Sequence, residues 1–356
     1  SAKDKMRGKD RAILNDNLGD GFYDFLLEAL TPTVAHCRGG IYVAMSSSEL
    51  DVLQGLGVEY TRIVAPGGKL GEAYVKRGVK YFREPEADLT YLQFNMENPM
   101  VGGYTPDKVA LRRAIAMSMN QAKLISVVAN NQALAAQSPI SPGVAGYDPT
   151  FKNTLNSYSP ARANALLDRF GYKDVNGDGW RELPSGQPLL ITYTTNTGGD
   201  NRRDFEEFLL KSLKAIGIKL DIRKMPFSEL VKTRQSGQYQ FAGAAWGADY
   251  PDAENFMQLL YGPNAGPGNE SRFRNKQFDA LYDDIATSPD SPQRNAKLKQ
   301  MSRIVAAYAP WIYNSHRIRT SLAQPWISGY KPNPDNMPHF MYLDIDPAIK
   351  AAAIKR

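Results

Sequence analysis

The chain has few of the residues on which cross-links and metal clusters depend. Cys37 is its only cysteine, so an intrachain disulfide and a cysteine-based zinc cluster are excluded. No window approaches the roughly 20 consecutive apolar residues that a membrane-spanning helix needs. The first residues, SAKDKMRGKDR, lack the apolar core of a signal peptide, so we expect any export signal to be absent from this chain.

Enzyme signatures are also missing. The sequence has no His-Glu-x-x-His, Gly-x-Ser-x-Gly, Walker or dinucleotide-binding motif. His36, His316 and His339 lie far apart, which indicates surface or hydrogen-bonded roles rather than metal ligation or base catalysis. A Ser-x-x-Lys match at 328–331 has no companion motif, and we interpret it as chance. We therefore expect a protein that is not an enzyme and that has no cofactor and no metal site.

One acidic stretch resembles half of a calcium loop. Asp174, Asn176 and Asp178 precede Gly179 with the spacing of an EF-hand. The twelfth position is Ser185 instead of a bidentate Glu, and a predicted strand follows. A hydrophilic turn is favoured, with a weak or absent calcium site.

What is present describes a globular protein larger than one ordinary domain. The 356 residues are 42% hydrophobic and 22% charged, with a formal charge of +6. The basic residues alternate with acids instead of forming the stripe typical of nucleic-acid binding, which leaves a nucleic-acid partner as a minor alternative.

Hydrophobic periodicity and capping residues predict the secondary structure from residue 80 onward. Before residue 80, the same signals predict one helix, at 21–30. The later prediction comprises a strand at 89–96, one long helix at 105–131 capped by Thr105, a helix at 160–170 capped by Ser159, strands at 188–195, 218–224 and 239–246, helices at 201–216 and from Ser228, helices at 275–287 and 291–309, and an extended segment at 311–326.

The order of strands and helices between 188 and 246 is βαβαβ, which predicts a parallel sheet with right-handed crossovers. Ligands of open parallel sheets bind beyond the carboxyl ends of the strands. Asn196 and Asp249 follow two of these strands. We therefore expect both residues at the ligand-binding edge.

The segment AAWGADYPDAENF places Asp249 between Trp246 and Tyr250. A carboxylate between aromatic rings suits an ammonium ligand, because it offers a charge-assisted hydrogen bond beside a cation–π wall. In the alternative interpretation Asp249 caps a helix that starts near Pro251, and the two aromatic residues pack in the core. The residues alone leave both interpretations open and favour the second.

Several motifs occur together and in a characteristic order: YLQFNMENP, LRRAIAMSMNQAKLI, QSPISPGVAGYDP, YSPARANALLDRFGY and ADYPDAENFMQLLYGPN. With these segments the chain resembles the family 5 extracellular solute-binding proteins, the peptide, nickel and opine receptors of bacterial ABC importers. The resemblance extends from about residue 41 to residue 346.

The resemblance implies an α/β type II periplasmic binding protein fold, with two lobes joined by hinge strands. Its oligopeptide receptors use a Trp-x-Ala-Asp-Tyr segment to bind the α-ammonium group of the ligand. Carried over, this role falls on Asp249, with Trp246 lining a side-chain pocket and Tyr250 as a further candidate. Asn196 is a candidate because of its position after a strand. Arg272 is a candidate for the ligand carboxylate.

The resemblance also implies an organisation and a function. Residues 1–129 would form part of lobe I, 130–315 lobe II, and 316–356 the return to lobe I with a C-terminal tail. Lobe I would be shortened at its N-terminus, because only residues 45–56 match its start. The expected function is a periplasmic or lipid-anchored receptor that delivers a peptide or similar amine-bearing solute to an ABC permease. The alternative is a degenerate relative that acts as a structural subunit.

Overall fold

The computed structural model describes residues 64–65, 68–153, 157–197, 201–331 and 342–354. The predicted helix at 21–30, Cys37, and the segment 45–56 lie outside the described residues. So do His36 and His339. Within the described residues, no helix combines the length and apolar character required to cross a membrane.

The chain divides into two compact units, residues 1–79 with 199–201 and residues 80–198 with 202–356. In the first unit, the described part contains an antiparallel pair of short strands, β1 (Val64–Ala65) and β2 (Lys69–Leu70), and helix α1 (Glu72–Lys76). The lobe boundaries proposed from the sequence stay a prediction.

The second unit contains the remaining elements. Its strands are β3 (Lys80–Pro85), β4 (Asp88–Phe94), β5 (Ala133–Ala135), β6 (Leu190–Asn196), β7 (Lys219–Met225), β8 (Phe241–Gly247), β9 (Trp311–Ala323), β10 (Ile327–Ser328) and β11 (Asp344–Ile345). Its helices are α2 (Pro106–Ser118), α3 (Gln121–Val127), α4 (Pro160–Arg169), α5 (Asn201–Lys214), α6 (Phe227–Ser236), α7 (Glu254–Met257), α8 (Lys276–Thr287), α9 (Pro292–Tyr308) and α10 (Pro347–Ile354).

One mixed sheet organises this unit. Its strand order is β3-β9-β4-β8-β6-β7, and β5 pairs with β9. Strand β6 runs parallel to both β7 and β8, which confirms the βαβαβ prediction, whereas β4 is antiparallel to β8 and β9. The strands β6, β7 and β8 consequently end at one edge of the sheet, called the carboxyl edge below.

Both faces of the sheet are covered by hydrophobic cores. On β4, Leu92 and Phe94 face a core that includes buried residues of α2, α4 and α5. The alternate residues Leu89 and Tyr91 face a second core formed with α7, α8 and α9. This alternation is what a strand with a period of two produces when both of its faces are buried.

The single long helix predicted for 105–131 is wrong. The chain forms two helices, α2 and α3, because Met119 adopts an extended conformation (φ −94°, ψ 117°) and Asn120 starts a new helix. The Asn120 side chain accepts a hydrogen bond from the Lys123 backbone N–H at 3.0 Å, which is an N-cap interaction. Thr105 makes no side-chain cap. The helical spacing of Leu111 and Ile115 was nevertheless correct, since both are fully buried.

The other helices predicted within the described residues are confirmed to within a few residues. Ser159 caps α4 by accepting from the Arg162 backbone N–H at 3.3 Å, as expected. At the end of that helix, Gly171 has a φ of +82°, a conformation that L side chains rarely adopt.

Candidate ligand-binding site

The site begins where β8 leaves the sheet. Strand β8 lies between β4 and β6 and carries Trp246 as its penultimate residue. Pairing continues for one residue beyond the strand, because the Ala248 N–H donates to the Ala87 carbonyl at 2.7 Å. The chain then turns out of the sheet, and Asp249 and Tyr250 are exposed at the carboxyl edge. Their position is thus set by a strand that pairs with β4 along its whole length and with β6 at Phe241 and Ala242.

Asn255 joins Trp246 and Asp249 into one hydrogen-bonded unit. Its Oδ1 accepts from the Trp246 indole Nε1 at 2.9 Å and from the Asp249 backbone N–H at 3.1 Å. Its Nδ2 donates to Asp249 Oδ2 at 3.0 Å. Asn255 is only 1% exposed, so these bonds replace contacts with water that its amide has lost.

Helix α7 explains why Asn255 is buried at this place. The residues that follow it, Phe256 and Met257, are fully buried in the second core. Asp252 Oδ1 accepts from the Glu254 backbone N–H at 2.7 Å, so Asp252 supplies the turn before the helix. Asp249 does not cap a helix near Pro251, so that part of the alternative interpretation is wrong. Its expectation for Trp246 is confirmed, because Trp246 packs against the second core, whereas Tyr250 is exposed.

A tyrosine cluster supports the outer side of the same loop. The hydroxyls of Tyr250 and Tyr282 both donate to the carboxylate of Glu254, one to each oxygen. Burial, followed by the hydrogen bond to Glu254, raises the pKa of both tyrosines. Tyr282 also stacks on Tyr261, with ring centroids 4.3 Å apart. The hydroxyl of Tyr250 is therefore hydrogen-bonded within the protein, while the residue as a whole is 45% exposed.

A buried arginine anchors the loop to the helices beneath it. Arg294 on α9 is 4% exposed, and its Nη2 lies 2.6 Å from Asp252 Oδ1. Its Nε donates to the Ile285 carbonyl at 3.0 Å. The backbone of Ala145 binds the loop from the other side, since it donates to the Pro251 carbonyl at 3.0 Å.

An ion-pair cluster borders the end of β8 on its β4 side. Asp88, the register partner of Gly247, is 2% exposed and contacts Arg317. Burial raises the pKa of Asp88, and hydrogen bonds from Arg317 oppose this shift. Glu86 lies 3.4 Å from Arg317 and 3.1 Å from Arg319. The charges of this cluster thus have partners within the protein.

Asn196 reaches the same carboxyl edge by another strand. It is the last residue of β6, is half-buried, and is in register with Met225 at the end of β7. The following residue, Thr197, donates its N–H to the Met225 carbonyl at 2.8 Å. Parallel pairing thus confirms that Asn196 and the Asp249 loop share one edge.

A sequence comparison identifies the family to which this chain belongs. Residues 43–268 match the family described as bacterial extracellular solute-binding proteins, family 5, middle region. The chain belongs to this family. Family 5 consists of solute-binding proteins rather than enzymes, and its members deliver solutes to ABC permeases.

Individual relatives differ in their named ligands. This chain is 29% identical over 243 residues to di/tripeptide-binding protein 2 of Pseudomonas aeruginosa. The aligned residues cover 67% of this chain and 43% of the relative. This chain is 24% identical over 270 residues to heme-binding protein A of Haemophilus influenzae, covering 75% and 46%. The chain spans about half the length of the curated relatives it matches.

Solved structures show the same fold. The oligopeptide-binding protein AppA of Bacillus subtilis, in complex with a nonapeptide, superposes with a TM-score of 0.68 at 19% identity, covering 84% of this chain and 58% of AppA. NikA of Brucella suis, in complex with Fe(III)-EDTA, gives a TM-score of 0.64 at 20% identity, covering 77% and 54%. The mixed α/β fold of family 5 is thereby shown.

Arg272 is not brought together with the other candidates. Its Nε lies 3.2 Å from Glu97 Oε2, and its Nη2 donates to the Gln235 carbonyl at 2.7 Å. Glu97 follows the end of β4, whose last residue Phe94 pairs with Phe241, the first residue of β8. Arg272 therefore lies toward the opposite edge of the sheet. Its contact with a ligand carboxylate stays a prediction.

The acidic stretch that follows α4 forms a turn, as favoured from the sequence. Glu182 accepts from the Val175 backbone N–H at 2.8 Å and from the Asn176 side chain at 3.1 Å. Across the described ranges, no group of three or more His, Cys, Asp or Glu residues is arranged to hold a metal ion. The expectation of a weak or absent calcium site stays a prediction. His316, for its part, is buried and hydrogen-bonded to the Asp88 carbonyl.

Sequence reasoning missed Asn255 and Glu254. Both belong to the quoted segment, but their partners are an indole, a backbone amide and two tyrosine hydroxyls that only the folded loop brings near. The available signal was a polar residue directly before the apolar pair Phe256 and Met257. A buried amide at such a place needs hydrogen-bond partners.

Proposed function

We propose that the protein is a receptor that captures a peptide, or a similar solute with a free amine, and delivers it to an ABC importer. The observation that carries this proposal is the Asp249 carboxylate. It is exposed beyond β8 and fixed through one oxygen by Asn255. A fixed carboxylate at a strand end is suited to receive a charged hydrogen bond from an ammonium group.

The aromatic residues supply the apolar part of the proposed site. Trp246 is half-buried, packs against the second core and donates its indole N–H to Asn255. Its ring face is the group that remains for a ligand side chain or for the methylene groups beside an ammonium. A rigid wall of this kind tolerates different peptide side chains, because stacking requires no matching polar partner.

The names of the relatives support a peptide over other solutes. Di/tripeptide-binding proteins 1 and 2 of Pseudomonas aeruginosa, at 26% and 29% identity, carry peptides in their names, and the superposed AppA structure contains a nonapeptide. A heme-binding relative is among the similar proteins too. In this proposal the receptor acts in the periplasm, or on the outer surface as a lipid-anchored protein, with the permease as its partner.

Ligand identification is the first experiment. The protein as purified is measured by native mass spectrometry, and bound small molecules are released by gentle denaturation and identified. A co-purified pool of peptides supports the proposal. A single metal chelate or a porphyrin overturns the peptide assignment.

The second experiment tests the role of Asp249. We expect Asp249→Asn to weaken binding of trialanine by about 1.5–3 kcal/mol, the contribution of a hydrogen bond between charged groups, and to leave N-acetyl-trialanine unaffected. The control is Asp221→Asn, which removes the same charge from an exposed position on β7. Isothermal titration of both ligands gives the affinities. An equal loss for both ligands contradicts the ammonium contact.

A further inference from the structure

The hydrogen bonds of Asn255 leave the two oxygens of Asp249 in different states. Oδ2 accepts from the Asn255 amide at 3.0 Å. Within the described part of the chain, no protein donor contacts Oδ1. The Asp249 backbone N–H is held as well, because it donates to the Oδ1 of the same Asn255 at 3.1 Å. Both the backbone and the side chain of Asp249 are thus oriented by one buried amide.

Only an amide can make this set of contacts. The side chain at 255 must accept from the Trp246 indole and from the Asp249 backbone, and it must donate to the Asp249 carboxylate. A carboxylate there would offer no donor, and a hydroxyl is too short to serve all three partners. Burial to 1% exposure excludes water as a general substitute, so the amide determines how Asp249 faces outward.

We propose that Asn255 is a positioning residue that occupies one acceptor site of Asp249 Oδ2, fixes the orientation of the carboxylate, and thereby favours an ammonium group over the two-oxygen fork of a guanidinium group. This inference rests on the proposed function. An ammonium is a compact point charge with rotatable donors, and a single carboxylate oxygen satisfies one of them. A guanidinium binds a carboxylate best as a planar fork that uses both oxygens.

The experiment compares three ligands that differ only at the amino end. They are trialanine, its Nα-amidino derivative, which carries a guanidinium, and N-acetyl-trialanine, which carries no charge there. Each is titrated into the full chain and into Asn255→Ala, after bound ligand has been removed by unfolding and refolding. The measured quantity is the ratio of the dissociation constants for the guanidinium and the ammonium ligands.

We expect the original protein to prefer trialanine over the amidino derivative by about tenfold, which corresponds to about 1.4 kcal/mol. In Asn255→Ala the Asp249 carboxylate is free to rotate and to offer both oxygens. The ratio should then fall to within about twofold of one, while N-acetyl-trialanine binds as before. A loss of packing alone would weaken all three ligands together and leave the ratio unchanged.

A spectroscopic measurement accompanies the titration. The Trp246 indole N–H resonance, assigned with Trp246→Phe, should shift and exchange faster with solvent in Asn255→Ala, since its acceptor is gone. If Asn255→Ala does not fold, Asn255→Ser replaces it. Its hydroxyl can serve only some of the three partners, so the ratio should fall by a smaller factor.

The outcomes separate the inference from the proposed function. If trialanine binds more tightly than its acetylated form, yet Asn255→Ala keeps the tenfold ratio, the positioning role is overturned and the receptor proposal stands. If the original protein binds the free and the acetylated peptides equally, or binds none of the three, both proposals fail. A ratio near one in the original protein also overturns the positioning role.

Discussion

Two acidic segments of the chain make opposite use of their carboxylates. In the turn after α4, Asp174 accepts through Oδ1 from the Gly177 N–H at 2.7 Å and through Oδ2 from the Gly179 N–H at 2.9 Å. In the loop after β8, the one donor to the Asp249 carboxylate among the described residues is the Asn255 side chain. Both segments have the composition of a site. The difference is that backbone amides of the turn bind both oxygens of Asp174, whereas a side-chain amide binds one oxygen of Asp249.

The largest effect is expected from a substitution of Arg294, which contacts the Asp249 loop through Asp252. We expect Arg294→Met to lower the free energy of unfolding by about 2–3 kcal/mol, because it leaves Asp252 without its buried cation. Urea denaturation measures this change. The control Arg303→Met alters an exposed residue of the same helix and should stay within about 0.5 kcal/mol. Equal effects of the two variants would mean that the loop does not depend on Arg294.

A second test compares alanine substitutions of the two acids, Asp174 and Asp249. We expect Asp174→Ala to lower the free energy of unfolding by about 1–2 kcal/mol, since two backbone amides lose a charged acceptor, and to leave the affinity for trialanine unchanged. Asp249→Ala should cause a large loss of affinity, and it should also lower the free energy of unfolding by about 1–2 kcal/mol, because the buried Asn255 amide loses its acceptor. Urea denaturation measures the stability of both variants, and titration measures their affinity for trialanine. Weakened binding of trialanine by Asp174→Ala would contradict the expected difference between the two acids.

A third test examines the tyrosine cluster. Tyr282→Phe removes one hydroxyl donor from Glu254, and we expect a loss of about 1 kcal/mol in unfolding free energy. Tyr261→Phe serves as the control, because it keeps the stacked ring and changes only a hydroxyl that bonds to Asp283 on the surface. Thermal denaturation compares the two. A larger loss for Tyr261→Phe would show that Glu254 is not the main partner of the cluster.

The smallest expected effect depends on pH. A hydrogen bond from Lys299, followed by those from Thr150, lowers the pKa of Asp148 to about 2. A carboxyl group with a lowered folded-state pKa stabilises the fold above its unfolded pKa of about 3.9, and this contribution is lost as the pH falls towards 2.

Asp148→Asn should therefore reduce the unfolding free energy at pH 6 by roughly 1 kcal/mol or less, a figure discounted for solvent screening. The difference from the original protein should shrink as the pH falls from 4 to 3. Urea denaturation at pH 6, 4 and 3 measures it. A difference that stays constant with pH would show that the Asp148 charge contributes nothing.

Much of this fold could be predicted from the sequence because the responsible signals are local. The alternation of strands and helices between β6 and β8 gave the parallel order, and the Ser159 cap placed α4 within a residue. The break between α2 and α3 was missed since the apolar spacing continues through it. The first helix ends there because Asn120 caps the N-terminus of the next helix, α3.

The site was predictable in position but not in its connections. Asp249 and Asn196 could be placed at one edge because parallel strands end together. Asn255 and Arg272 could not be placed, because their surroundings depend on contacts between distant segments. Arg272, for instance, has Gln235 and Glu97 as partners, from a helix end and from the far end of β4.

The position of β4 in the sheet also has a consequence for how the protein is made. This buried strand lies between β8 and β9, and both of these partners come much later in the chain. During synthesis β4 leaves the ribosome with both edges unpaired and both faces uncovered, and its pairing must wait for most of the chain. Both sheet partners of β4 are therefore missing until the later part of the chain, up to β9, has been translated.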